Sequence, residues 1–380
     1  MNIAFVTTYN ARDVINWSGL GYYISKSLED SGNSLQYIEN LKMEFSSLDF
    51  LKKVYYRKLL RKSFPLERTV FTAKAYSKAV TKELANLKYD CVFSPGTLPV
   101  AYLETKVPKV IYTDVTFAGM LNYYESSDKL PQEIIRQANK LESQALKSCT
   151  LALYASEWAA ESAIKFYELE PSKVKVVPFG ANLDSHFSKE EVERFIYNRQ
   201  QKTLKILFNG VDWRRKGGDL VLSTVHEIKN RGLSVELHIV GIPVLPFSDV
   251  PDFVINHGFL NKSIPSQKEQ LENLYKTCHF LFLPSRAEAF GCVFCEASAF
   301  GVPSFARNTG GISTAIRNGK NGFILEPSAG VQEYADLICH YFLDQQKYTN
   351  LGLSSYHEYE TRLNWRSIGN LISELIEEVL

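Results

Sequence analysis

Short apolar runs alternate with longer amphipathic stretches along the whole chain, and this alternation constrains the fold more than any other feature. The runs occupy residues 2–8, 35–40, 91–96, 109–117, 151–156 and 174–180 in the first half, and 204–210, 234–241, 252–260, 279–285, 302–308 and 322–327 in the second. Such a pattern is typical of βαβ units with a parallel sheet. We therefore predict six or seven strands in the first half and six in the second, with helices between them.

A polar, charge-rich stretch from residue 182 to residue 202 separates the two sets of runs. A chain of 380 residues has room for roughly two domains. We predict that this stretch is a linker between an N-terminal domain, residues 1–182, and a C-terminal domain, residues 183–364. Both are expected to be doubly wound α/β domains that face each other across a cleft, with ligands beyond the carboxyl ends of the strands.

The balance of charges limits the classes of partner. The chain has 43 basic and 42 acidic residues, so its formal net charge is +1, which argues against a nucleic-acid-binding protein that relies on an overall positive field. Six scattered cysteines favour a reducing compartment without disulfides. The start of the sequence lacks the features of a signal peptide, and no apolar run reaches about 18 residues. We predict a cytoplasmic protein.

Two glutamates in the segment from residue 285 to residue 305 indicate a ligand site. Glu288 is predicted in the loop after a buried strand, and Glu296 in the helix that follows and ends near Gly301. An acid near the first turn of a helix is ordinarily a solvated residue that interacts with the helix dipole. Here the amides around Gly291 can also receive an anion. Carboxylates bind vicinal hydroxyls with about 1.5 to 3 kcal/mol per bond, so a sugar and a ribose flanking a diphosphate would suit the two acids.

These residues also carry a resemblance to a known family. The segment EAFGCVFCEA, residues 288–297, resembles the Glu, seven residues, Glu motif of the retaining glycosyltransferase family four (glycosyltransferase group one). Members of that family have the GT-B fold of two facing Rossmann-like domains. Segments similar to other motifs of the family occur at residues 17–32, 176–184, 207–222 and 308–325. The resemblance thus covers most of the chain, and it implies a last helix, residues 365–380, that crosses back to the first domain.

The resemblance implies a role for each matching residue. Glu296 would bind the ribose of the nucleotide, and Glu288 would contact hydroxyls of the transferred sugar. Lys216 and either Arg214 or Arg215 would neutralise the leaving diphosphate, because fixed cations and amides stabilise the charge that develops there. Further donor contacts are implied for the glycine loop of the first domain and for residues near the two acids, namely Gly19, Leu20, Gly21, Gly210, Phe259, Ala289, Phe290, Gly291 and Cys292.

We expect neither a metal nor a cofactor. The sequence has no Asp-x-Asp pair of the kind that holds a divalent cation in the other common transferase architecture, and basic residues could take the place of the cation. No histidine precedes His186, so the leaving phosphate itself would accept the acceptor proton in a same-face reaction, as the resemblance implies. Asp114, at the predicted end of a strand, is the candidate for an assisting side chain. Capping of the next turn is an equally good interpretation of Asp114.

The sequence departs from the family pattern at three places. Val211 replaces an arginine that many members have after the matching glycine, and Thr314 replaces a glutamate. Thr113 and Asp114 stand where several members have a histidine. The sequence therefore leaves a saccharide, a lipid-linked and a small-molecule acceptor open, and it does not identify the base or the sugar of the donor.

Other interpretations of these residues are less favoured. The glycine loop at residues 19–21 imitates a dinucleotide-binding fingerprint, but Ile24 stands where the third glycine belongs. Cys292 and Cys295 form a Cys-x-x-Cys pair, which can be redox-active, although packing as small apolar residues is favoured here. The sequence has no second cysteine pair that would complete a zinc site.

The stretch from residue 47 to residue 64 has the pattern of a basic amphipathic helix. Its basic residues are Lys52, Lys53, Arg57, Lys58, Arg61 and Lys62. A solvated surface is the default interpretation. The sharper hypothesis is contact with an anionic membrane surface, or reception of a lipid-linked or phosphorylated acceptor.

These features together predict a metal-independent, retaining hexosyltransferase that uses a nucleoside-diphosphate sugar. The second domain would hold the donor and the first domain the acceptor. A nucleotide-sugar epimerase or hydrolase on the same fold is one alternative, and a non-enzymatic sugar-binding protein is another. No nucleic-acid partner is expected.

Overall fold

The computed structural model describes residues 1–124, 126–199 and 202–380. The chain divides into two compact units: unit 1 contains Met1–Pro178 and Trp365–Leu380, and unit 2 contains Phe179–Asn364. The boundary lies at residue 178 and not at the predicted residue 182. The intervening segment belongs to unit 2, because the Ala181 amide donates to the Leu363 carbonyl (2.9 Å) and the Phe179 ring contacts the Phe290 ring.

Unit 1 is built on a parallel six-stranded sheet. Its strands are β1 (Asn2–Val6), β2 (Ser34–Ile38), β3 (Cys91–Ser94), β4 (Lys109–Thr113), β5 (Leu151–Tyr154) and β6 (Val174–Val176). Its helices before the boundary are α1 (Leu20–Asp30), α2 (Ser47–Leu59), α3 (Val70–Leu84), α4 (Phe117–Met120), α5 (Gln132–Ser148) and α6 (Glu157–Tyr167). The strands lie in the order β2-β1-β3-β4-β5-β6, so the chain builds outward in both directions from the β1/β3 pair.

Unit 2 repeats this organisation with a second parallel sheet. Its strands are β7 (Leu204–Asn209), β8 (Val235–Val240), β9 (Val254–Asn256), β10 (Phe280–Leu283), β11 (Ser304–Arg307) and β12 (Gly322–Leu325). Its helices are α7 (Lys189–Asn198), α8 (Gly218–Asn230), α9 (Pro265–Thr277), α10 (Cys292–Ala299), α11 (Ile312–Ala315), α12 (Val331–Leu343) and α13 (Gln345–Arg362). The strand order is β12-β11-β10-β7-β8-β9. The strands that follow β7 in sequence, β8 and β9, extend the sheet on one side, and those that follow β10, β11 and β12, extend it on the other.

The burial of the central strands explains why apolar runs in the sequence predict their positions. β3, β4, β5 and β10 are buried along their whole length, since helices cover both faces of each sheet. A parallel strand covered on both faces reads as a continuous apolar run. Each of the twelve predicted runs overlaps one strand, and the predicted doubly wound α/β fold class is confirmed.

The last helix, α14 (Trp365–Glu377), packs on α1 of unit 1. A Cβ atom at Gly369 would lie 2.2 Å from the Ser27 carbonyl oxygen, so only glycine allows the two helices to approach this closely. The Trp365 ring stacks on the Tyr23 ring with centroids 6.3 Å apart. The end of the chain is therefore part of the unit 1 core.

The predicted linker, residues 182–202, is wrong over most of its length. Within it, α7 begins at a capping box in which the Ser188 hydroxyl accepts the Glu191 amide, and it buries Val192 and Ile196. The buried Arg199 guanidinium then donates to four main-chain carbonyls, those of Tyr275, Lys276, Phe300 and Gly301. The polar composition of the segment reflects its exposed face, while a narrow apolar stripe and one buried arginine attach it to unit 2. Residues 200 and 201 lie outside the described residues.

No disulfide joins cysteines in the part of the chain that the structure describes, and five of the six cysteines are buried. Within the described ranges, none of the helices is both long enough and apolar enough to cross a membrane.

Candidate functional site

The strand order of unit 2 defines where a ligand site is expected. β7 and β10 are neighbours, and the chain leaves their carboxyl ends toward opposite sides of the sheet. Ligands of open α/β sheets bind at such a switch point, outside the carboxyl ends of the strands. The loops that leave these two strands are residues 210–217 and 284–291, and they contain Lys216 and Glu288.

Glycines bring these two loops together. Gly217 has a φ of +76°, and a Cβ atom there would lie 2.4 Å from the Pro284 carbonyl oxygen. A Cβ atom at Gly210 would lie 2.9 Å from Cγ of Lys216, so the aliphatic part of the lysine lies directly on this glycine. Both positions need glycine because the backbone and the lysine side chain occupy the space that a side chain would require.

The result is a buried ion pair at the switch point. The Lys216 ammonium contacts Oε2 of Glu288, and the two residues are only 8% and 9% exposed. Nη1 of Arg215 lies 3.8 Å from the same oxygen and donates to the Ala287 carbonyl (3.0 Å). The Ser285 hydroxyl is a further donor to Oε2 at 3.4 Å. Two cations thus surround one carboxylate that is largely removed from water.

The structure distinguishes among the basic residues of this region. Arg215 lies beside Glu288, whereas the side chain of Arg214 is exposed. Arg286 makes two hydrogen bonds to the carboxylate of Asp219 (2.8 and 2.6 Å), and this contact lowers the pKa of Asp219. Of the two arginines that the sequence offers as a second cation, the geometry favours Arg215.

The next helix, α10, begins immediately after the β10 loop. Its N-cap, Gly291, has a φ of +92°, and a Cβ atom there would lie 2.6 Å from the Phe294 ring and 3.3 Å from Cγ of Glu288. Ala289 and Phe290 are buried, while Gly291 and Cys292 are partly exposed. The first amides of an eight-residue helix, which have no intrahelical acceptor, therefore begin beside Glu288.

Glu296 lies in α10 and is 4% exposed. The Lys262 ammonium contacts its Oε1 atom, and the Tyr275 hydroxyl donates to Oε2 (3.2 Å). Burial, and secondarily the Glu296 carboxylate, raise the pKa of Tyr275 well above its ordinary value. Lys262 and Tyr275 are not part of any sequence motif, and their contacts with Glu296 link residues that are 34 and 21 positions apart. Neither residue was predicted from the sequence as part of the site.

The other residues that the sequence assigns to the unit 2 site contact neither of the two glutamate carboxylates in the contacts described above. Phe259 lies after β9 with 57% of its surface exposed. Cys295 is buried, and burial raises the pKa of its thiol, which agrees with a packing role and not with a redox pair. In the ranges given above, no group of three or more histidine, cysteine, aspartate or glutamate residues is arranged to hold a metal ion.

Unit 1 has a cavity of about 390 Å³ at its own switch point, beyond the ends of β1, β3 and β4. Its polar and aromatic lining includes Tyr9, Trp17, Arg68, Thr97, Asp114 and Glu142. Burial, and secondarily Asp114, raise the pKa of Tyr9, and within the described ranges the buried Tyr9 hydroxyl has no hydrogen-bond partner. Of this group, only Asp114 was predicted from the sequence.

Two further features of the cavity concern charge. Glu142 is buried, accepts a hydrogen bond from the Thr97 hydroxyl (2.7 Å), and has its pKa raised by burial. The Arg68 guanidinium lies 4.7 Å from the centroid of the Phe117 ring. The cavity therefore combines hydroxyls, a cation and two acids in different environments.

The glycine loop of unit 1 borders this cavity. Trp17, Ser18 and Gly19 all have a positive φ (+46°, +55° and +85°), which is an uncommon backbone for the first two. Gly21 lies against Tyr9, since a Cβ atom there would be 2.8 Å from atoms of the Tyr9 ring and hydroxyl. Leu20 is buried as the first residue of α1. The loop is thus held in a strained conformation beside the unpaired hydroxyl.

Two doubly wound units, with an acid-and-cation pair and a helix start at the switch point of the second, define the GT-B class of fold. The resemblance read from the motifs is confirmed by comparison: residues 189–357 match the sequence model of the family described as "Glycosyl transferases group 1". The matched residues lie within unit 2 and make up less than half of the chain.

Individual proteins are similar to this chain in sequence or in fold. D-inositol 3-phosphate glycosyltransferase of Rhodococcus erythropolis is 26% identical over 230 residues, which is 57% of this chain and 51% of that protein. The chain spans about half the length of the curated relatives it matches. Among solved structures, sucrose-phosphate synthase from Thermosynechococcus elongatus has a TM-score of 0.70 at 15% identity, covering 100% of this chain and 98% of that one. HepE of Anabaena in complex with UDP has a TM-score of 0.65 at 17% identity and covers 100% of both chains.

Proposed function

We propose that this chain is a glycosyltransferase that moves a hexose from a nucleoside-diphosphate sugar to a hydroxyl of an acceptor, with retention of the anomeric configuration. The observation that carries the proposal is the Lys216–Glu288 ion pair at the start of α10, at the switch point of the unit 2 sheet. Relatives named as glycosyltransferases, and a fold neighbour solved with UDP, support a nucleotide-sugar donor.

The donor would bind to unit 2 with its diphosphate at the start of α10. The amides of Phe290, Gly291 and Cys292 would donate to phosphate oxygens, because the first amides of a helix lack intrahelical acceptors and carry the positive end of the helix dipole. Glu288 would accept hydroxyls of the hexose, and Glu296 those of the ribose. Gly291 suits this role because its lack of a side chain leaves the backbone accessible.

Departure of the nucleoside diphosphate develops negative charge on phosphate oxygens. Lys216 and Arg215 already converge on one carboxylate oxygen of Glu288, so they provide fixed positive charge at this place. Fixed charges in a site of low water content stabilise such a transition state without reorganising at the moment of reaction. This arrangement supports a mechanism that requires no metal ion.

In the proposed same-face reaction, the bond between the anomeric carbon and the phosphate oxygen breaks as the bond from the acceptor oxygen forms. The proton of the acceptor hydroxyl passes to the departing phosphate oxygen, so atoms and charges balance. Retention follows because the acceptor oxygen attaches to the face that the phosphate leaves.

Unit 1 would supply the acceptor from its cavity at the ends of β1, β3 and β4. The Tyr9 hydroxyl and Asp114 offer polar contacts for a hydroxylated acceptor, and Trp17 offers an aromatic face. Arg68 lines the same cavity and could receive an anionic group. Relatives named for D-inositol 3-phosphate make a phosphorylated polyol or sugar the first acceptor class to test.

The outer surface of α2 supports association of this protein with a membrane face. The residues Leu48, Leu51, Tyr55 and Leu59 follow helical spacing and are each more than half exposed, so the apolar stripe of this helix faces solvent. Arg57, Lys58 and Arg61 are exposed beside it, whereas Lys52 pairs with Glu133 of α5. An exposed apolar stripe flanked by cations fits the interface of an anionic bilayer. The helix ends at Leu59, so the predicted basic helix over residues 47–64 is shorter than expected.

Vesicle sedimentation tests the membrane proposal. We expect binding to vesicles containing anionic lipid, weaker binding to neutral vesicles, and loss of binding when Leu51 and Leu59 are replaced by Ser or when the exposed basic residues are replaced by Gln. A matched control replaces the exposed Lys74, Lys78 and Lys82 of α3 by Gln, which should leave binding unchanged. Equal binding by all variants would refute the proposal.

A ligand screen followed by product analysis tests the proposed activity. Thermal unfolding is measured with UDP, GDP, ADP and their sugar conjugates, because a ligand at about 100 times its dissociation constant stabilises the fold by about 2.7 kcal/mol. The donor that binds is then incubated with candidate acceptors, and the anomeric configuration of the product is determined by NMR. Conversion of donor without acceptor would indicate an epimerase or hydrolase, and binding without any turnover would indicate a sugar-binding protein.

A further inference from the structure

Among the described residues, two donors contact the carboxylate of Glu296, and both come from outside its helix. The Lys262 ammonium contacts Oε1 and also donates to the Asn182 carbonyl (3.3 Å), and the Tyr275 hydroxyl donates to Oε2 (3.2 Å). An ionised carboxylate has about four lone-pair sites, so these two donors leave about two for a ligand. One protein donor on each oxygen leaves each oxygen with capacity for one ligand hydroxyl.

Lys262 belongs to the loop between β9 and α9, which the structure holds firmly. Oδ1 of Asn261 accepts the Ser263 amide (2.9 Å), and the Asn261 amide donates to Oε1 of Gln267 in α9 (2.7 Å). The Lys262 side chain is 38% exposed, and that of Glu296 is 5% exposed. The ammonium therefore lies at the solvent edge of a buried carboxylate.

Ring packing and a hydrogen bond also hold Tyr275 in place. Its ring stacks on Phe300 with centroids 5.2 Å apart and planes at 15°, and its hydroxyl accepts a hydrogen bond from Nδ2 of Asn209 (2.9 Å). Asn209 is the last residue of β7. Because the phenol oxygen accepts a hydrogen bond from Asn209, its own O–H group is directed to Glu296. The carboxylate is thus oriented from the α9 side by a rigid group.

The ion pair also has an energetic consequence. Burial of a carboxylate without a cationic partner costs free energy. Removal of one member of a buried ion pair therefore leaves the other member as an unpaired buried charge, which is strongly destabilising. Tyr275 alone supplies one neutral hydrogen bond. The orientation of Glu296 therefore depends more on Lys262 than on Tyr275.

We propose that Lys262 is a positioning residue that, together with Tyr275, directs the two remaining lone-pair sites of Glu296 toward the vicinal hydroxyls of a ribose. The site then discriminates ribonucleoside diphosphates from their 2′-deoxy counterparts. The inference rests on the proposed function, in which Glu296 is the ribose ligand. It adds a residue and a selectivity that the motifs of the sequence do not indicate.

Calorimetric titration of the full chain tests the inference. The ligands are UDP, GDP and ADP with their 2′-deoxy counterparts, and the proteins are the wild type, Lys262→Met, Lys262→Arg and Lys268→Met. Lys268 is the matched control, because it forms an ion pair with Asp184 (2.8 Å) in the same unit and does not contact Glu296. The measured quantity is the ratio of the two dissociation constants for the nucleotide that the wild type binds.

We expect the wild type to prefer the ribonucleotide by about 10-fold or more, the effect of one charge-assisted hydrogen bond. Lys262→Met should reduce this ratio below roughly 3-fold and weaken ribonucleotide binding by about 10-fold. Lys262→Arg should keep most of the preference, and Lys268→Met should keep all of it. A purely structural role of Lys262 would lower the unfolding temperature and leave the ratio unchanged.

The outcomes separate the inference from the proposed function. A wild-type ratio retained in Lys262→Met overturns the inference and leaves the proposed function intact, whereas failure of every nucleoside diphosphate to bind the wild type overturns both. If Lys262→Met does not fold, Tyr275→Phe gives the same comparison with the ring retained. A ratio that falls by about threefold in that variant supports the inference, and an unchanged ratio overturns it.

Discussion

The two units share one architecture but present different chemistry at their switch points. In unit 2, both carboxylates of the site are paired with lysines, Glu288 with Lys216 and Glu296 with Lys262. In unit 1, the Tyr9 hydroxyl is buried and has no hydrogen-bond partner among the described residues, and Trp17 and Ser18 of the adjacent loop have left-handed backbone. The charged groups of the unit 2 site are thus held by contacts with each other. The unit 1 cavity, in contrast, contains a hydroxyl whose hydrogen bonds are not satisfied by the described part of the protein.

This difference agrees with the proposed roles, in which unit 2 holds the donor and unit 1 the acceptor. A site whose groups are fixed by the protein can stabilise charge that develops at one place, which is the requirement for departure of a diphosphate. An unsatisfied hydroxyl in a cavity is costly unless a ligand or water completes it, which suits a site for a hydroxylated acceptor. Variants of the two sites test whether donor chemistry depends on unit 2 and acceptor use on unit 1.

The largest effect is expected at the buried ion pair of unit 2. Lys216→Ala or Glu288→Ala should reduce kcat/KM by a factor on the order of 100 or more, which is about 3 kcal/mol of transition-state stabilisation. Steady-state kinetics with the donor identified by the screen measures this. Arg214→Ala is the control, since that side chain is exposed, and it should change the rate less than about threefold. Normal rates in both ion-pair variants would remove the basis for the catalytic assignment.

The second effect concerns the close approach of the two loops that carry Lys216 and Glu288. Gly217→Ala places a Cβ atom 2.4 Å from the Pro284 carbonyl and requires a left-handed alanine, so it should lower the free energy of unfolding by about 2 to 3 kcal/mol. Gly232→Ala is the matched control, because Gly232 also has a positive φ (+89°) but open space around it. It should cost only about 1 kcal/mol. Denaturant unfolding distinguishes the two, and equal losses would show that the close loop approach is unimportant.

The third prediction separates binding from turnover within unit 2. Glu296→Gln should weaken nucleoside-diphosphate binding roughly 10- to 30-fold, because an amide accepts hydroxyls less strongly than a carboxylate does and leaves Lys262 without its anion. The dissociation constant is measured by titration with the nucleotide that the wild type binds. An unchanged constant would exclude Glu296 as a nucleotide ligand.

The smallest effect is expected in unit 1 and concerns the acceptor alone. Asp114→Asn should lower turnover by roughly 5- to 10-fold with the donor dissociation constant unchanged. Asp128→Asn serves as the control, because Asp128 lies outside the residues that line the cavity. A weaker donor affinity in Asp114→Asn would contradict the assignment of donor binding to unit 2 alone.

The sequence predicted the sheets better than the site. Buried parallel strands such as β3 and β10 are continuous apolar runs, so their positions were readable, and the acids flanking Gly291 were recognisable because strand, loop and helix are consecutive there. The linker prediction failed over α7, where only Val192 and Ile196 form the buried stripe. A stripe of two residues in a charged segment is too weak a periodic signal.

Contacts between distant segments were not predictable from the sequence. Lys262 reaches Glu296 across a loop and a helix, and Tyr275 reaches it from α9, and neither residue belongs to a motif. The cavity of unit 1 likewise joins Tyr9, Arg68 and Glu142 from three separate segments of the chain. Only the packing of the sheet and its helices brings these side chains together. The pairing of Lys216 with Glu288 was anticipated as a shared site, but the close loop approach at Gly217 that produces it was not.

A structure of the full chain with the nucleoside diphosphate that binds it would test the proposed donor site most directly. We predict phosphate oxygens on the amides of residues 290–292, the ribose hydroxyls on Glu296, and the Lys216 ammonium beside the terminal phosphate. A diphosphate bound at another position, with Lys216 still on Glu288 and the start of α10 uncontacted, would contradict the proposal.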